Sequence, residues 1–393
     1  MKTLFENGRL TVYFEGRIDT NNAPAVDKDL KDAVSASGAE DIVIDADKLE
    51  YISSAGLRVL MKLRKDQGKP IPVINVSNDV YDIFETTGFT ELLEITKKLR
   101  EISVEGCDIV GQGGNGTVYR LDEDKIVKLY NSGGRALVDQ EQRFARTAFV
   151  SGIPTVIPYD VVRCGERYGV VFELLRSDTL GHAISREPAR MPELVDQYVA
   201  LAKELHSTSV EKGALPDVRV LMRERVSRLD RWCSAEEIAE LMSIVDTIPE
   251  CDTVIHGDLH PGNIMIQDGE LLLIDLAEVT VGPRAFDLAS IFRDMIAGAR
   301  TDEKMTEMTI GMPVAMVEQT AQLFFMKYTG ITDPAGLKAY FDKLGLIYAF
   351  NVVLLCGSGI GAAEAHAPRI MKNLLHPVVL ANKDAIPYII STL

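Results

Sequence analysis

The sequence predicts an α/β N-terminal domain followed by a larger, two-lobed α+β domain. Strand-length apolar runs alternate with helical patterns in residues 1–100, an arrangement typical of an α/β unit. Residues 101–175 contain successive strand patterns with a glycine-rich first turn, and residues 176–393 are mainly helical around a loop-and-strand segment at 254–276. A chain of 393 residues fits two or three domains. We therefore expect a boundary at residue 100, an N-lobe over 101–175 and a C-lobe over 176–393.

Composition and charge exclude several classes of protein. Apolar residues make up 46% of the chain and charged residues 25%, which is typical of folded globular proteins and excludes disorder as the main state. The 42 basic and 58 acidic residues give a net charge of −16, so we expect no binding to nucleic acid or to an anionic membrane surface. The five cysteines form no Cys-x-x-Cys pair, which indicates a reducing, cytoplasmic setting rather than a disulfide scaffold or a zinc site.

Two segments bear on membrane targeting. The first ten residues, MKTLFENGRL, lack the apolar core of a signal peptide. Residues 344–363 carry no charge and are long enough for a membrane span, but Asn351 lies in their middle and Gly357-Ser-Gly-Ile-Gly361 in their second half. This pattern predicts a buried core helix rather than a span.

Strands and helices alternate in the predicted N-terminal domain. Ala23-Pro24 opens the first helix, because proline is tolerated in a first helical turn. A second helix follows the second strand, and a third ends at Gly88. The predicted strands are 10–16, 41–46 and 70–76, and the third helix spans 80–87.

A glycine-rich motif lies near the start of the second domain. Gly111, Gly113, Gly116 and Val118 form the pattern G-x-G-x-x-G-x-V, and glycines let backbone amides approach phosphate oxygens without intervening side chains. Dinucleotide-binding turns share the pattern, but they lead into a helix. Here the run TVYRLDEDKIVKLY follows, with a turn at Asp122–Asp124. The motif therefore predicts a hairpin that covers the phosphates of a nucleotide.

Three oxygen-bearing side chains follow in the C-lobe. Asp258 and Asn263 lie five residues apart in the segment His256-Gly-Asp-Leu-His-Pro-Gly-Asn263, and Asp275 ends the following strand. Phosphoryl transfer needs a carboxylate that orients the nucleophile and oxygen ligands for Mg²⁺. Lys128, on the strand after the hairpin, is in the position that holds the α- and β-phosphates. The set predicts Asp258 as the catalytic carboxylate and Asn263 with Asp275 as Mg²⁺ ligands.

The residues of this segment alone leave two other interpretations open. Asp258 could be an ordinary loop carboxylate, and His256-x-Asp258-x-His260 could form a metal site. We expect His256 and His260 to be structural hydrogen-bonding groups rather than metal ligands.

These motifs make residues 101–393 similar to the aminoglycoside phosphotransferase and choline kinase group, which has the two-lobed protein-kinase-like fold. The loop signature H-G-D-x-H-x-x-N is complete, and the pattern G-x-P-x-x-D-L-A is nearly intact at 282–289. There is no D-F-G or A-P-E motif, so regulation through a phosphorylated activation loop is not expected. The resemblance implies ATP as the phosphate donor, Asp287 as a support of the catalytic loop, Glu141 as the partner of Lys128, and an adenine-binding hinge at Glu173, Leu174 and Leu175.

Two adjacent serines, Ser53 and Ser54, stand where a predicted strand turns into a helix. A serine at this place can cap exposed backbone amides. The same amides would also stabilise a phosphate added there, so the residues alone leave a cap and a phosphorylation site open.

Segment 1–96 is similar to STAS domains, the anti-sigma-factor antagonist family. The similarity is carried by Gly16-Arg-Ile-Asp19, by the Asp41–Ala46 strand and by the Ser-Ser-Ala-Gly-Leu turn. It implies Ser54 as the phospho-acceptor and an anti-sigma factor or another regulatory protein as partner. Ser53 occupies the position at which the family has aspartate.

Two functions from different classes follow. The first is an ATP- and Mg²⁺-dependent phosphotransferase that acts on a hydroxyl acceptor, a small molecule or a protein serine, with the STAS domain as a regulatory or docking module. The second is a partner-switching antagonist controlled by phosphorylation of Ser54, in which the kinase-like domain senses nucleotide or phosphorylates Ser54 itself. Fusion in one chain raises the local concentration that such self-phosphorylation requires.

Overall fold

The computed structural model describes residues 1–393 except 7, 40, 114–115, 132–133 and 360, and except the side chains of 361 and 362. The chain forms two compact units, Met1–Ser103 and Val104–Leu393. The α/β and two-lobed α+β fold classes predicted above are confirmed, as the following elements show.

The first unit is a five-stranded sheet with three helices. Its strands lie in the order β1-β2-β3-β4-β5, with β1 antiparallel to β2 and the other neighbours parallel. β1 and β5 are additions to the three predicted strands. All five residues of β1 are exposed, so this strand lacks the buried alternation that reveals a strand in sequence. The strands are β1 (Lys2–Glu6), β2 (Arg9–Ile18), β3 (Asp41–Ile52), β4 (Pro72–Val76) and β5 (Glu94–Lys97); the helices are α1 (Ala23–Ser37), α2 (Ser54–Gln67) and α3 (Asn78–Thr86).

The second unit begins with an antiparallel sheet and one helix, which make up the N-lobe. The strands of this unit lie in the order β10-β11-β9-β8-β7. The predicted turn between β8 and β9 is confirmed, since Asp124 N–H donates to Asp122 Oδ1 at 2.8 Å. After a short strand β6 (Arg100–Glu101), the elements are β7 (Ile109–Gln112), β8 (Gly116–Arg120), β9 (Lys125–Tyr130), α4 (Arg135–Val150), β10 (Pro158–Cys164) and β11 (Arg167–Glu173).

The C-lobe is helical around two short pairs of strands, β12 with β15 and β13 with β14. Its core is rich in aromatic side chains, and Tyr198, Phe324, Phe325 and Phe350 are fully buried. The first elements are α5 (Leu180–Arg186), α6 (Met191–Ser207), α7 (Val218–Ser227), α8 (Ala235–Thr247), β12 (Val254–Ile255), β13 (Ile264–Gln267), β14 (Glu270–Leu273) and β15 (Thr280–Val281). The remainder are α9 (Ala285–Phe292), α10 (Gly298–Thr301), α11 (Glu303–Ile310), α12 (Val314–Thr329), α13 (Pro334–Leu355), α14 (Gly361–Ile370) and α15 (Ala385–Thr392).

The uncharged stretch 344–363 is partly helix and partly turn. α13 ends at Leu355 and α14 begins at Gly361, so the single core helix predicted for this stretch is corrected to two helices. Gly359 between them has a φ of +81°, a left-handed conformation that suits glycine and interrupts a helix. Across the described part of the chain, none of the helices has the length and apolar character needed to cross a bilayer.

Candidate functional site

A cleft of about 910 Å³ lies in the second unit and is lined by the N-lobe sheet, α4 and the β13–β14 region. Its walls are mostly apolar, and its charged lining residues include Lys128, Glu141 and Asp275. Apolar walls with a few convergent polar groups are typical of small-molecule sites. The predicted ATP-binding residues that line this cleft are Gly111, Val118, Lys128, Glu141, Glu173 and Leu175.

The glycine-rich motif forms the hairpin β7–β8. Gly111 pairs with Val118, and Gly113 N–H donates to the Gly116 carbonyl at 2.9 Å. Residues 114–115 of the motif lie outside the described residues. Gly113 and Gly116 do not line the cleft, and Gly116 has a packing role: a Cβ there would lie 2.4 Å from the Leu129 carbonyl oxygen. Glycine is therefore required at 116 by the close approach of β9, whatever the hairpin binds.

Lys128 lies between two carboxylates on the floor of the cleft. Its Nζ is 3.0 Å from Glu141 Oε1 and 2.7 Å from Asp275 Oδ1. The Lys128 side chain is 12% exposed and that of Glu141 only 6%. Burial by itself would lower the pKa of Lys128, but Asp275 and Glu141 outweigh it and raise the pKa above its ordinary value. Lys128 is thus a fixed cation, joined directly to a residue 147 positions later in the chain.

Asp258 is held by hydrogen bonds from three sides. Asn263 Nδ2 donates to Asp258 Oδ2 at 3.0 Å and to the Asp258 carbonyl at 3.0 Å. Arg293 Nη2 donates to Oδ1, and His260 Nε2 lies 3.4 Å from Oδ2. Burial would raise the pKa of Asp258, but His260, Arg293 and His256 together hold it well below its usual range. The carboxylate is therefore ionised and oriented, as a group that positions a hydroxyl must be.

Asp287 supports the backbone of the loop that carries Asp258. It is fully buried, and its carboxylate accepts the His256 N–H at 2.8 Å and the Gly257 N–H at 2.7 Å. Its Oδ2 also lies 3.1 Å from His206 Nε2, while His206 Nδ1 lies 2.8 Å from the Tyr328 hydroxyl. Only the tertiary structure joins His206 to Asp287, 81 residues later.

Gly257 occupies a position where glycine is required. Its φ is +85°, and a Cβ there would lie 2.8 Å from the Glu278 carbonyl oxygen. The flanking His256 is fully buried, its Nε2 lies 3.0 Å from the Ile274 carbonyl oxygen, and its Nδ1 accepts the Asp258 N–H at 3.3 Å. Both ring nitrogens of His256 thus have protein partners.

Asn263 and Asp275 offer oxygen atoms suited to Mg²⁺. Asn263 uses its amide nitrogen for both contacts with Asp258, and within the described residues its Oδ1 has no partner. Asp275 gives one carboxylate oxygen to Lys128 and is 39% exposed. Its φ of +60° is unusual for a residue other than glycine, and such conformations cluster at functional sites. The Ile274 N–H donates to the Asn263 carbonyl at 3.0 Å, which ties the two segments together.

Arg293 is a site residue that sequence reasoning missed. It begins a π-helical turn, Arg293–Ala297, directly after α9, and single π-turns are frequent at functional sites. Its guanidinium bridges Asp258 and Asp294, with both Asp294 contacts at 2.7 Å. Ligand atoms of Asp258, His260 and Asp294 lie within 4.8 Å of one another. Because the Arg293 guanidinium already pairs with both carboxylates, we interpret this cluster as an ion-pair network rather than a metal site.

Ser53 and Ser54 of the first unit have different environments. Ser53 is the N-cap of α2, and its side chain accepts the Gly56 N–H at 3.4 Å. Ser54 is the first residue of the helix and is exposed. Gly56 is required by packing, because a Cβ there would lie 2.7 Å from Ile52 and 2.8 Å from Ile18. The capping role therefore belongs to Ser53, and the Ser54 hydroxyl faces solvent.

Comparison with known proteins identifies both parts of the chain. The family model described as "Phosphotransferase enzyme family" matches residues 108–310, and the STAS domain model matches residues 2–102. The putative anti-sigma factor antagonist BtrV of Bordetella bronchiseptica is 31% identical over 93 residues, which are 23% of this chain and 78% of that protein. Methylthioribose kinase of Bacillus cereus is 31% identical over 91 residues, which are 23% of this chain and only 22% of that enzyme.

Solved structures with a similar chain include the gentamicin complex of the aminoglycoside phosphotransferase APH(2")-IIa. Its TM-score is 0.46 at 14% sequence identity, and the match covers 76% of this chain and 98% of that one. The phosphotransferase model spans more than half of the chain, and the matched residues contain the whole cleft and the Asp258 loop. The chain therefore belongs to the phosphotransferase enzyme family, and it is a phosphotransferase that also carries a STAS domain.

Proposed function

We propose that the protein transfers the γ-phosphoryl group of ATP to a hydroxyl group of a small molecule, with Mg²⁺ as cofactor. The observation that carries this proposal is the contact of Lys128 with both Glu141 and Asp275. Asp258 and Asn263 of the catalytic loop are also hydrogen-bonded to each other. Residues 101–393 supply this activity, with the N-lobe at 101–175 and the C-lobe at 176–393. Residues 1–100 form the regulatory or docking module.

Each residue has a role that its contacts support. The apolar walls of the cleft take the adenine, next to the hinge at Glu173 and Leu175. Lys128 holds the α- and β-phosphates, since it is a buried, permanently charged cation. Asp258 accepts a hydrogen bond from the acceptor hydroxyl and orients it for in-line attack. Asp287, through its contacts to the His256 and Gly257 amides, keeps this loop in place.

Asn263 and Asp275 are the residues that would hold Mg²⁺, through the amide oxygen and a carboxylate oxygen. When bound, the ion neutralises charge on the phosphates. The contact between Asp275 and Lys128 holds the carboxylate at the phosphate end of the cleft.

The test is an ADP-release assay with Mg²⁺-ATP and a panel of hydroxyl acceptors. Methylthioribose belongs in the panel, because the kinases that share part of this sequence are named for it. We expect Asp258→Asn to abolish transfer while ATP still binds, and Lys128→Met to weaken ATP binding. Lys125→Met is the matched control, since Lys125 lies on the same strand with its Nζ over the Tyr159 ring, 5.7 Å from its centroid. Full activity in Asp258→Asn would contradict the proposal.

A second function is favoured by the exposure of Ser54. A phosphate on Ser54 would lie at the first turn of α2, where free amides and the helix dipole stabilise it. Ser54 phosphorylation would then control binding of an anti-sigma factor or another regulatory protein, with the second unit as nucleotide sensor or as the Ser54 kinase. Intact mass after incubation with Mg²⁺-ATP alone tests the self-phosphorylation branch: a gain of one phosphate that both Ser54→Ala and Asp258→Ala abolish supports it, and no gain refutes it.

A further inference from the structure

A separate cavity of about 450 Å³ lies in the C-lobe, among α6, α12, α13 and α15. It shares no lining residue with the 910 Å³ cleft. Most of the described residues that line it are polar, and Ile331 and Leu393 are the aliphatic ones. Its volume is within the range of about 300–1,000 Å³ that is typical of pockets for small organic molecules.

The cavity is lined by two cations, Lys203 and Arg284, and, within the described part of the chain, by no carboxylate side chain. Both cations are exposed. Arg284 Nε donates to the Leu393 carbonyl at 2.7 Å. Among the described residues, neither the other two guanidinium nitrogens nor the Lys203 ammonium has a hydrogen-bond or ion-pair partner. Cations that face one cavity without carboxylate partners attract an anion.

Tyr340 brings a buried hydroxyl to the same cavity. The residue is 8% exposed, yet within the described residues its hydroxyl has no hydrogen-bond partner and is not sealed from solvent by packing. Polar groups inside a protein normally have partners. Burial raises the pKa of both Tyr340 and the half-buried Tyr328, and the nearby Arg284 guanidinium opposes the rise in each. Both hydroxyls therefore keep their protons at neutral pH and can donate to a ligand.

The arrangement of these donors favours a phosphate monoester. They come from α6, from the residue before α9, from α12 and from α13. A phosphate monoester has three terminal oxygens and a charge of about −1.5 to −2 at pH 7, which suits spread donors and two cations, whereas a carboxylate has two oxygens in one plane and a single charge. A bare phosphate ion, a few times larger than a water molecule of about 30 Å³, would leave most of the cavity unfilled. The polar lining therefore indicates a phosphate attached to a polar organic group.

A chain of hydrogen bonds leads from this cavity to the catalytic loop. The Tyr328 hydroxyl lies 2.8 Å from His206 Nδ1, and His206 Nε2 lies 3.1 Å from Asp287 Oδ2. The Asp287 carboxylate can only accept, so Nε2 carries the proton in that contact, and Nδ1 of a neutral ring accepts from Tyr328. Asp287 in turn accepts the His256 and Gly257 N–H groups. An anion that draws the Tyr328 hydrogen into the cavity takes the donor from Nδ1, and so loosens the contact of His206 with Asp287.

We propose that this cavity binds a small phosphate monoester with a polar organic part, and that its occupancy loosens the catalytic loop through Tyr328, His206 and Asp287. The phosphate accepts hydrogen bonds from Lys203, Arg284 and the two tyrosine hydroxyls. The cavity is thus an effector site, and because its lining differs from that of the ATP cleft, both ligands can be bound at once.

The test of the site is calorimetry on the full-length protein with three probes: D-glucose 6-phosphate, inorganic phosphate and D-gluconate. Mg²⁺ and the non-hydrolysable ATP analogue AMP-PNP are present in excess, so that the cleft at Lys128 is already filled. We expect glucose 6-phosphate to bind most tightly, inorganic phosphate more weakly, and gluconate, a polyol with a carboxylate, most weakly.

Variants of the lining residues test where the probe binds. Lys203→Ala and Arg284→Ala should each weaken glucose 6-phosphate binding about tenfold, because each removes a charge-assisted hydrogen bond. Tyr340→Phe should weaken it about threefold, since it removes a neutral donor and keeps the ring. Lys338→Ala is the matched control on α13, because Lys338 is exposed, pairs with Asp342 at 2.9 Å and does not line the cavity.

Thermal unfolding checks that Arg284→Ala and Tyr340→Phe are folded, whereas Lys203 is exposed and its replacement does not threaten the fold. Absence of glucose 6-phosphate binding, equal binding of the three probes, or wild-type affinity in Lys203→Ala would each overturn the site. Failure of the proposed phosphotransferase function has a different signature. In that case AMP-PNP does not bind, but probe binding that depends on Lys203 is still measurable.

Hydrogen exchange followed by mass spectrometry tests the link to the catalytic loop without depending on activity. Saturating glucose 6-phosphate should speed exchange of the His256 and Gly257 amides about threefold and leave α8 unchanged. In Tyr328→Phe these amides should exchange rapidly without the probe, and saturating probe should not change their rate. Slower or unchanged exchange in the wild type would overturn the link, since a ligand that merely stabilises the fold slows exchange.

Discussion

The buried Asp287 carboxylate provides the most direct test of how the catalytic loop is held. We predict that Asp287→Ala destabilises the second unit strongly, that Asp287→Asn does so by about half as much, and that both reduce kcat more than they weaken ATP binding. The reason lies in its partners. The carboxylate accepts the N–H groups of His256 and Gly257 at 2.8 and 2.7 Å and contacts His206, and it is 0% exposed.

The size of the effect follows from counting donors. A buried backbone N–H left without an acceptor costs about 1–3 kcal/mol. Alanine at position 287 leaves two such donors, so the free energy of unfolding should fall by about 2–6 kcal/mol. Asparagine keeps one acceptor oxygen but turns an amide N–H₂ toward the second donor, so the loss should be about 1–3 kcal/mol. The freed loop would no longer hold Asp258 in one orientation, which explains the expected loss of kcat.

Urea unfolding followed by tryptophan fluorescence measures this effect. The single tryptophan of the chain, Trp232, lies in the second unit, so its signal reports on that unit. Asp384→Asn is the matched control, because Asp384 is exposed and makes no capping hydrogen bond. If Asp287→Ala unfolds within about 0.5 kcal/mol of the wild type, a range typical of neutral surface changes, the loop does not depend on this carboxylate and the reasoning is wrong.

Three further predictions concern charges and a helix cap. Lys128→Met should lower the free energy of unfolding by about 3–5 kcal/mol, because it leaves Glu141 buried and unpaired. The double variant Lys128→Met/Glu141→Leu should recover much of that loss, because it also removes the buried carboxylate. Equal urea midpoints for the single and double variants would contradict this prediction. The lowered pKa of Asp258 means that its ionised form stabilises the folded state above the ordinary aspartate pKa, and that this contribution is lost as the pH falls through the lower folded pKa. Plotted against pH, the free energies of unfolding of the wild type and Asp258→Asn should therefore run parallel from pH 5 to 8 and converge only below about pH 4. If the difference between them changes near neutral pH instead, the pKa of Asp258 is not lowered in the folded protein. Ser53→Ala should destabilise the first unit by about 0.5–2 kcal/mol through loss of the α2 cap, while Ser54→Ala should be nearly neutral in thermal unfolding followed by circular dichroism; the reverse order would show that Ser54 is the cap.

Much of the fold was predictable because its signals are local. Apolar runs bounded by turn residues predicted β2, β3 and β4, and the turn at Asp122–Asp124 predicted the hairpin from β8 to β9. β1 was missed because all of its residues are exposed. The break between α13 and α14 was missed because the uncharged stretch was treated as one helix, although Gly359 has a left-handed φ. Propensity and periodicity describe an element only where its burial leaves a pattern.

In the candidate site too, the residues that belong to a motif were predictable, whereas those that join it only through tertiary contacts were not. The order of Lys128, Asp258, Asn263 and Asp275 along the chain was enough to predict phosphoryl transfer, because that chemistry needs few groups in a recognisable sequence. The contact of Arg293 with Asp258 was not predictable, because the two residues lie 35 positions apart and no motif joins them.

By itself, then, the sequence determined the two folds, the family and the reaction class, since each depends on short segments whose residues act together. The tertiary structure alone decided which serine caps α2, that His206 reaches Asp287, and that Arg293 binds Asp258 from a π-helical turn. Those contacts join residues that are far apart in the chain or distinguished only by the direction of a side chain. Packing of the whole domain sets such directions, and no local pattern of residues encodes them.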